Sequence, residues 1–165
     1  MASAHWYETD EGKARLAVEL EAIERFNRNR REDLRIVGGR LGRSKHLLVQ
    51  FAFQPLATQP LVVRGEMILS SRHPLLEPAV RIESPALVDG KHLIHGGALR
   101  AIALDRTIPA SWADKGPVLC MFDHSDPRNA WNPSMTVVSA VLNTQAWFLN
   151  YWVWKTTQRW PFEAA

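Results

Sequence analysis

The chain has 165 residues, of which 46% are hydrophobic and 22% charged, and its formal net charge is +3. These values are ordinary for a globular protein with a substantial core, and we expect one domain over residues 1–165. Only residues 28–35 and 40–45 approach the basic clustering of nucleic-acid binders, so no nucleic-acid partner is predicted. One cysteine excludes an intrachain disulfide, which fits the reducing cytoplasm.

The sequence predicts neither secretion nor a membrane span. Its first eight residues lack the charged region followed by an apolar run that marks a signal peptide. The longest apolar stretch, Met135 to Trp154, is interrupted by polar residues at 143–145 and 150, which a bilayer tolerates poorly. We therefore expect a soluble, cytoplasmic protein without membrane contact.

The first predicted element is an amphipathic helix over residues 11–26, with Asp10 as its cap. Its apolar side chains recur at intervals of four, three and three and share one face: Leu16, Leu20, Ile23 and Phe26. Arginines at positions 28, 30 and 31 follow, where cations favour a helix C-terminus. They form either a solvated helix end or a docking surface for an acidic partner.

Short apolar runs bounded by glycine and proline come next, at residues 34–37, 47–53, 61–69 and 80–82. Their length, β-branched content and spacing predict an antiparallel meander of three or four strands. Residues 89–115 combine loop signals with a segment, 99–104, that fits either a short strand or a helical turn.

Helical periodicity returns after Ser134 and runs to Trp154. Pro133 is predicted at the start of this helix, and Asn143–Thr144 is a possible division into two. The resulting order is an N-terminal helix, a four-stranded antiparallel meander, an irregular segment and C-terminal helices. We therefore predict an α+β fold in which one layer of helices covers the sheet.

Cys120 is the candidate nucleophile of the chain. It lies within the apolar run 118–122, just before a polar loop over residues 123–129. A sole cysteine at such a junction fits a catalytic thiol, and it also fits a small core residue. Asp123 and His124 follow closely, either as catalytic partners or as ordinary solvated loop residues.

Three motifs in order around this cysteine resemble those of the ubiquitin-conjugating enzymes, in particular their bacterial relatives. His73–Ile82 has the spacing of the family's Tyr-Pro-x-x-Pro-Pro-x-Val-x-Phe segment. Leu119-Cys120-Met121, with Asp123 soon after, resembles the Ile-Cys-Leu-Asp active-site run. Trp131–Val137 is similar to Trp-x-Pro-x-Leu-Thr-Ile, and residues 150–161 resemble the tail of the bacterial relatives.

The resemblance implies a ubiquitin-conjugating-like fold and a transferase of bacterial antiphage defence operons, which also encode cyclic-nucleotide synthases. Cys120 would carry a protein C-terminus as a thioester and pass it to an amine, forming an isopeptide bond. The carried partner would be a nucleotidyltransferase or a ubiquitin-like protein. The chain has no Walker-type phosphate loop, so an activating enzyme would supply any ATP-dependent step, and no cofactor is predicted.

The resemblance also suggests roles for neighbours of Cys120. Asp123 would orient the acceptor lysine and His124 would handle the proton. The family's His-Pro-Asn motif has no clear match, because residues 92–97 read His-Leu-Ile-His-Gly-Gly and lack the asparagine. His95 is the candidate replacement, and which group supports the transition state stays open.

Two other classes of function remain. His92-x-x-His95 and Cys120-x-x-x-His124 supply four ligands that could hold zinc tetrahedrally. A non-catalytic scaffold of the same fold, which binds partners through its surfaces, is the other alternative. The retained cysteine argues against the scaffold, and the missing asparagine argues for it.

Overall fold

The computed structural model describes residues 5–29, 34–41, 46–87 and 92–161, with the backbone alone for 34–41. After a 3₁₀ turn, Trp6–Glu8, these residues form four α-helices and six strands. In chain order they are α1 Asp10–Asn29, β1 Leu34–Leu41, β2 Leu47–Phe53, β3 Val63–Ile68, β4 Ala79–Ser84, β5 Leu93–Ile94, α2 Gly96–Asp105, α3 Ala110–Ala113, β6 Val118–Leu119 and α4 Val137–Thr157. The predicted α+β class is confirmed.

The central sheet has the strand order β1-β2-β3-β4, with every neighbouring pair antiparallel. The predicted four-stranded meander is therefore confirmed. Gly65 of β3 lies opposite Phe51 of β2. A Cβ at Gly65 would come within 2.3 Å of the Phe51 ring and 2.6 Å of the Arg81 carbonyl oxygen, so the close packing here requires glycine.

Alternate residues of the strands enter two separate hydrophobic clusters. On one face, Val49, Phe51 and Phe53 pack in the cluster that contains the buried side of α4. On the other, Leu48, Ile68 and Ala79 pack with α2 and α3. Helices therefore cover both faces, and the expected single helical layer is wrong. The second layer of helices consists of α2 and α3. They lie within the segment 89–115, whose secondary structure the sequence pattern did not predict.

A buried ion pair lies on the face covered by α3. Arg81 and Glu66 are 3.0 Å apart, and both side chains are almost fully buried. The indole nitrogen of Trp112 donates to the same Glu66 oxygen at 2.9 Å, and the Arg81 guanidinium lies 4.0 Å from the centre of the Trp112 ring. This face tolerates two buried charges because each has several polar or aromatic partners.

Helix α1 differs from its prediction in two details. Thr9 caps the helix by accepting a hydrogen bond from the Gly12 N–H at 3.0 Å, and Asp10 is the first helical residue. Leu20 is 54% exposed, whereas Glu19 is 1% exposed. The predicted apolar face is therefore wrong at one position, where a carboxylate faces the interior.

Helix α4 runs unbroken through Asn143–Thr144, so the predicted division is wrong. Thr144 is buried, and its hydroxyl donates to the Ala140 carbonyl oxygen at 2.8 Å within the helix. The helix begins at Val137 with Thr136 as its N-cap, and Pro133 lies in the preceding turn rather than at the helix start.

None of the helices in the described residues is long and apolar enough to cross a membrane. Of the three arginines predicted as a helix end or docking surface, Arg28 lies in α1, and positions 30 and 31 lie outside the described residues. Most of the basic segments 28–35 and 40–45 likewise has no described side chains.

Candidate functional site

Cys120 follows directly after β6, and its residue is exposed. β6 pairs with β5 in a two-stranded ladder, Leu93 opposite Leu119. The Cys120 N–H extends this ladder by donating to the His92 carbonyl oxygen at 2.8 Å. The backbone of the cysteine is therefore held by the sheet while its thiol faces outward, so the reading of Cys120 as a core residue is wrong.

A cleft of about 690 Å³ opens beside the thiol. Its wall combines the segment that follows the cysteine, one face of α4 and two residues near the C-terminus. The lining residues are His92, Cys120, Met121, Phe122, Asp123, His124, Asn129, Asn143, Ala146, Trp147, Asn150, Trp160 and Pro161. This volume is in the range of pockets that hold small molecules or short peptide segments.

The surroundings of Cys120 disfavour its thiolate. Partial burial raises the pKa of the thiol above its ordinary value, and the carboxylates of Asp123 and Glu77 raise it further. The Arg106 guanidinium opposes this rise without cancelling it. At neutral pH the thiol is therefore mostly protonated, and the site does not generate a thiolate by itself.

Asp123 organises the loop after the cysteine. Its carboxylate accepts hydrogen bonds from the Ser125 hydroxyl at 2.6 Å and from the Ser125 N–H at 2.9 Å. These two bonds hold the pKa of Asp123 below its ordinary value. Asp123 is therefore an anion at neutral pH. Its side chain lines the cleft, and its charge acts on the Cys120 thiol.

His124 belongs to a charged cluster with Glu77 and Arg106. Its Nε2 lies 3.0 Å from Glu77 Oε1, which also accepts a hydrogen bond from Arg106. Glu77 is buried, whereas the His124 side chain is 62% exposed. A fixed carboxylate therefore orients an accessible imidazole at the edge of the cleft, which is a suitable arrangement for moving a proton.

The three segments identified by resemblance meet at this place. The Trp131 indole donates to the Pro74 carbonyl oxygen at 2.8 Å. Its ring packs against Phe122, two residues after Cys120, with centroids 5.4 Å apart, and against His73 at 6.1 Å. Trp131 thus connects the segment after β3 to the segment that bears the thiol.

A buried polar cluster around Glu19 binds two of these segments. We call this cluster the Glu19 hub. Glu19 Oε1 lies 2.7 Å from Nε2 of His73, and its other oxygen accepts the Val137 N–H at 2.8 Å. Arg15 pairs with Glu19 at 2.6 Å and also donates to the Pro133 carbonyl oxygen. A negative charge at the first N–H groups of α4 is favourable to the helix dipole.

Hydrogen bonding outweighs burial in the ionisation of Glu19. Burial alone would raise its pKa, but the bonds from His73 and from the Val137 N–H bring the pKa below its ordinary value. Burial lowers the pKa of His73, despite the opposing effect of Glu19. His73 is therefore neutral and donates through Nε2, and its buried Nδ1 has no hydrogen-bond partner among the described residues.

The structure does not bring all the predicted site residues together. Asp123 and His124 line the cleft with Cys120, but His95 does not. His95 is the N-cap of α2 and lines a separate cavity of about 260 Å³, so its placement gives no support for a role at the thiol.

The proposed zinc ligands do not form a metal site. The described residues, which include His92, His95, Cys120 and His124, contain no group of three or more His, Cys, Asp or Glu side chains that could hold a metal ion. The spacing along the chain suggested four ligands, but the helix and ladder geometry points His95 and Cys120 at different cavities.

Sequence reasoning missed the contribution of α4 to the cleft. Asn143, Trp147 and Asn150 are spaced four and three residues apart, so they lie on one face of the helix. That spacing was readable in the sequence, and it would have identified a polar stripe on an otherwise apolar helix.

No family model, curated protein or solved structure matches the chain.

Proposed function

We propose that this protein is a ubiquitin-conjugating-like transferase that carries a protein C-terminus as a thioester on Cys120. The observation that carries the proposal is the meeting of three separate motif segments around one exposed thiol. The Pro74 carbonyl accepts from Trp131, the Trp131 ring contacts Phe122, and Glu77 binds His124 beside the cysteine. Contact between these segments beside the thiol is what a site of this family would require.

The element order supports a ubiquitin-conjugating-like fold in the same way. One helix precedes a four-stranded antiparallel meander, the cysteine follows directly after a short strand, and a long helix begins after the Trp131 segment. Fold resemblance alone does not assign chemistry, so we assign transfer from the residues of the cleft.

In the first step the Cys120 thiol gives up its proton as its sulfur attacks the carbonyl carbon of an incoming thioester. The new C–S bond forms as the old one breaks, and the donor's sulfur takes the proton and leaves as a thiol. In the second step a lysine amine attacks the same carbonyl, the amide forms, and the Cys120 thiolate leaves. The proton lost by the amine passes to the His124 imidazole, which Glu77 orients.

The raised pKa of Cys120 makes its thiolate a poorer leaving group, which slows the attack of water and of an amine on its thioester alike. Asp123 contributes to that rise and also offers a negative charge where an acceptor lysine would approach. Attraction of the amine by this side chain would therefore be what favours transfer to lysine.

The partners follow from the resemblance. We propose a cytoplasmic role in antiphage defence, with a nucleotidyltransferase or ubiquitin-like C-terminus as the carried group and a separate activating enzyme. The scaffold alternative is supported by two observations, because a protonated Cys120 in a chain whose residues 92–97 lack the family's asparagine would be a poor catalyst.

Co-expression with the proteins encoded beside it tests both proposals. Non-reducing gels should show an adduct in wild type that a thiol reagent releases. Cys120→Ser should give an adduct that resists thiols but not alkali, and Cys120→Ala should give none. If all three proteins run alike while the partners are present by mass spectrometry, the transferase proposal is wrong and the scaffold replaces it.

A further inference from the structure

Positive charge is concentrated in one part of the sequence, which the proposed function does not use. Residues 28–45 contain seven arginines or lysines and two carboxylates, a net charge of +5. The other residues of the chain contain 13 and 15 respectively, a net charge of −2. The protein is therefore slightly acidic apart from one strongly basic segment, and such a segment attracts a partner of opposite charge.

The basic segment includes the strand β1, Leu34–Leu41, which lies at the edge of the central sheet. The strand order β1-β2-β3-β4 gives β1 a single strand neighbour, β2, among the described residues. Alternate residues of an edge strand direct their backbone N–H and C=O groups away from the sheet, where another strand can bind them. The outer edge of β1 therefore offers a row of donors and acceptors at the spacing of an extended peptide.

The charges of the segment lie along this edge. Arg35 and Arg40 belong to β1 itself, and Arg28 lies at the end of α1, shortly before the strand. The register places Arg35 opposite Ala52 and Arg40 opposite Leu48 of β2, and no residue of β2 is charged. The neighbouring strand thus supplies no counter-charge, whereas an incoming strand with carboxylate side chains would supply it.

Part of the β1 backbone is open to a close approach. The register shifts between Ile36 and Gly38, and residues 38–41 then pair regularly with residues 47–50. Gly38 and Gly39 have no side chains that could shield the backbone in this regular stretch. Glycine within a strand often marks a place where another backbone comes close.

Charge and backbone chemistry together select the occupant of this edge. A second copy that added its own β1 would bring two basic segments together, and like charges oppose that contact. A nucleic acid matches the charge, but it has no row of N–H and C=O groups at strand spacing. An extended acidic peptide matches both the charge and the hydrogen-bonding groups.

We propose that the outer edge of β1 binds an extended, Asp- and Glu-rich segment of a partner protein, which adds to the sheet as a fifth strand. Backbone hydrogen bonds along Gly38–Leu41 provide the pairing, and Arg35 and Arg40 attract the carboxylates. The inference goes beyond the proposed function and does not depend on it, because no step of it uses Cys120.

Fluorescence anisotropy with three labelled peptides of equal length tests the proposal. The first alternates valine with aspartate or glutamate, and the second has asparagine and glutamine in place of the acids. The third keeps the acids but is methylated at every internal backbone nitrogen, so it has no N–H to donate to a strand. We expect the first peptide to bind at least about tenfold more tightly than the other two, and less tightly at high salt.

A pair of double variants locates the charges that matter. Arg35→Gln with Arg40→Gln should weaken the binding of the acidic peptide about five- to tenfold, as the loss of two exposed ion pairs predicts. Arg100→Gln with Arg159→Gln is the matched control, because it changes the net charge equally at two exposed positions outside the basic segment. Circular dichroism shows whether each variant is folded.

Hydrogen exchange measured by mass spectrometry locates the bound peptide independently of any substitution. The acidic peptide should slow the exchange of amides within residues 34–41, because strand addition gives outward N–H groups an acceptor. Unchanged exchange at saturating peptide would overturn the proposal.

Other results would also overturn it. Equal weakening in the two double variants would reduce the interaction to net charge, and equal binding of the methylated peptide would exclude strand addition. Labelled oligothymidylate that binds through Arg35 and Arg40, while the acidic peptide does not, would make the segment a nucleic-acid surface. A dimer in sedimentation equilibrium that the acidic peptide does not dissociate would make β1 a self-association edge. None of these results affects the outcome of the transferase experiment.

Discussion

Two polar regions of this molecule, connected through the Trp131 ring, have opposite characters. In the Glu19 hub the carboxylate is almost fully buried, and its two oxygens together accept hydrogen bonds from Arg15, His73 and the Val137 N–H. In the Cys120 cleft the thiol is exposed and its thiolate is disfavoured. Within the described residues, each region also has one buried nitrogen without a hydrogen-bond partner, Nδ1 of His73 in the hub and the indole nitrogen of Trp147 at the cleft. The buried and fully bonded Glu19 carboxylate indicates a structural role, whereas the exposed thiol is where we propose chemistry.

The largest effect should come from Glu19→Ala, which leaves Arg15, His73 and the Val137 N–H without their shared acceptor. Removing one partner of a buried ionic cluster costs about 3–5 kcal/mol of unfolding free energy. Urea denaturation measures the change. Glu21→Ala is the control on the same helix, where the pair with Arg25 is about two-thirds exposed and should contribute less than about 0.5 kcal/mol.

Acid should destabilise the fold through the hub. Because the pKa of His73 is lowered in the folded state, the unfolded chain binds a proton that the folded chain does not as the pH falls below about 6.5. Stability then falls by at most about 1.4 kcal/mol per pH unit for that proton. Glu19, whose pKa is also lowered, adds a further loss at still lower pH, when its carboxylate is protonated.

Urea midpoints measured between pH 8 and pH 5 would check this dependence. In His73→Gln, which keeps a side-chain donor but does not titrate, the slope near pH 6 should be smaller than in wild type. An unchanged slope in that variant would show that His73 is not the group responsible.

Cys120→Ala should leave the free energy of unfolding within about 0.5 kcal/mol of wild type, because the residue is exposed. The same variant should lose every covalent adduct with the carried protein. A loss of stability as large as that of Glu19→Ala would instead show that the cysteine is part of the core. The two regions would then not differ in their contribution to stability.

The smallest change concerns the reactivity of the thiol. Asp123→Asn keeps an acceptor for Ser125 but removes a charge that raises the pKa of Cys120, so the thiolate fraction at pH 7 should increase. We expect iodoacetamide to alkylate the variant about two to five times faster than wild type. Asp126→Asn, in the same loop, should react at the wild-type rate, and a decrease in Asp123→Asn would contradict this electrostatic account.

The predictions that succeeded depend on local periodicity. The four strands and the first helix were predictable because apolar residues recur at characteristic intervals. The interval is two residues in a half-buried strand and three to four residues in a half-buried helix. Cys120 is a candidate because it is the only thiol and because a turn-rich loop follows it, and its role stays a prediction. Asp123 and His124 lie within four residues of it, so proximity along the chain is enough to bring them to the same cleft.

The predictions that failed concern contacts between distant segments. The apolar pattern assigned Leu20 to the interior, yet Glu19 is buried because His73, 54 residues away, and the start of α4 bind it. Asn143–Thr144 suggested a break, but Thr144 bonds within the helix and Asn143 lines the cleft. His95 was grouped with Cys120 by the family resemblance and by metal-ligand spacing, and the fold separates them into different cavities.

By itself the sequence determined the class of the fold, the order of its main elements and the position of its one thiol, since these depend on local pattern and residue type. Only the tertiary structure decided which polar residues are buried, that helices cover both faces of the sheet, and that α4 forms one wall of the cleft. Those outcomes depend on packing between segments far apart in the chain, where a buried charge is stable only if its partners arrive with it.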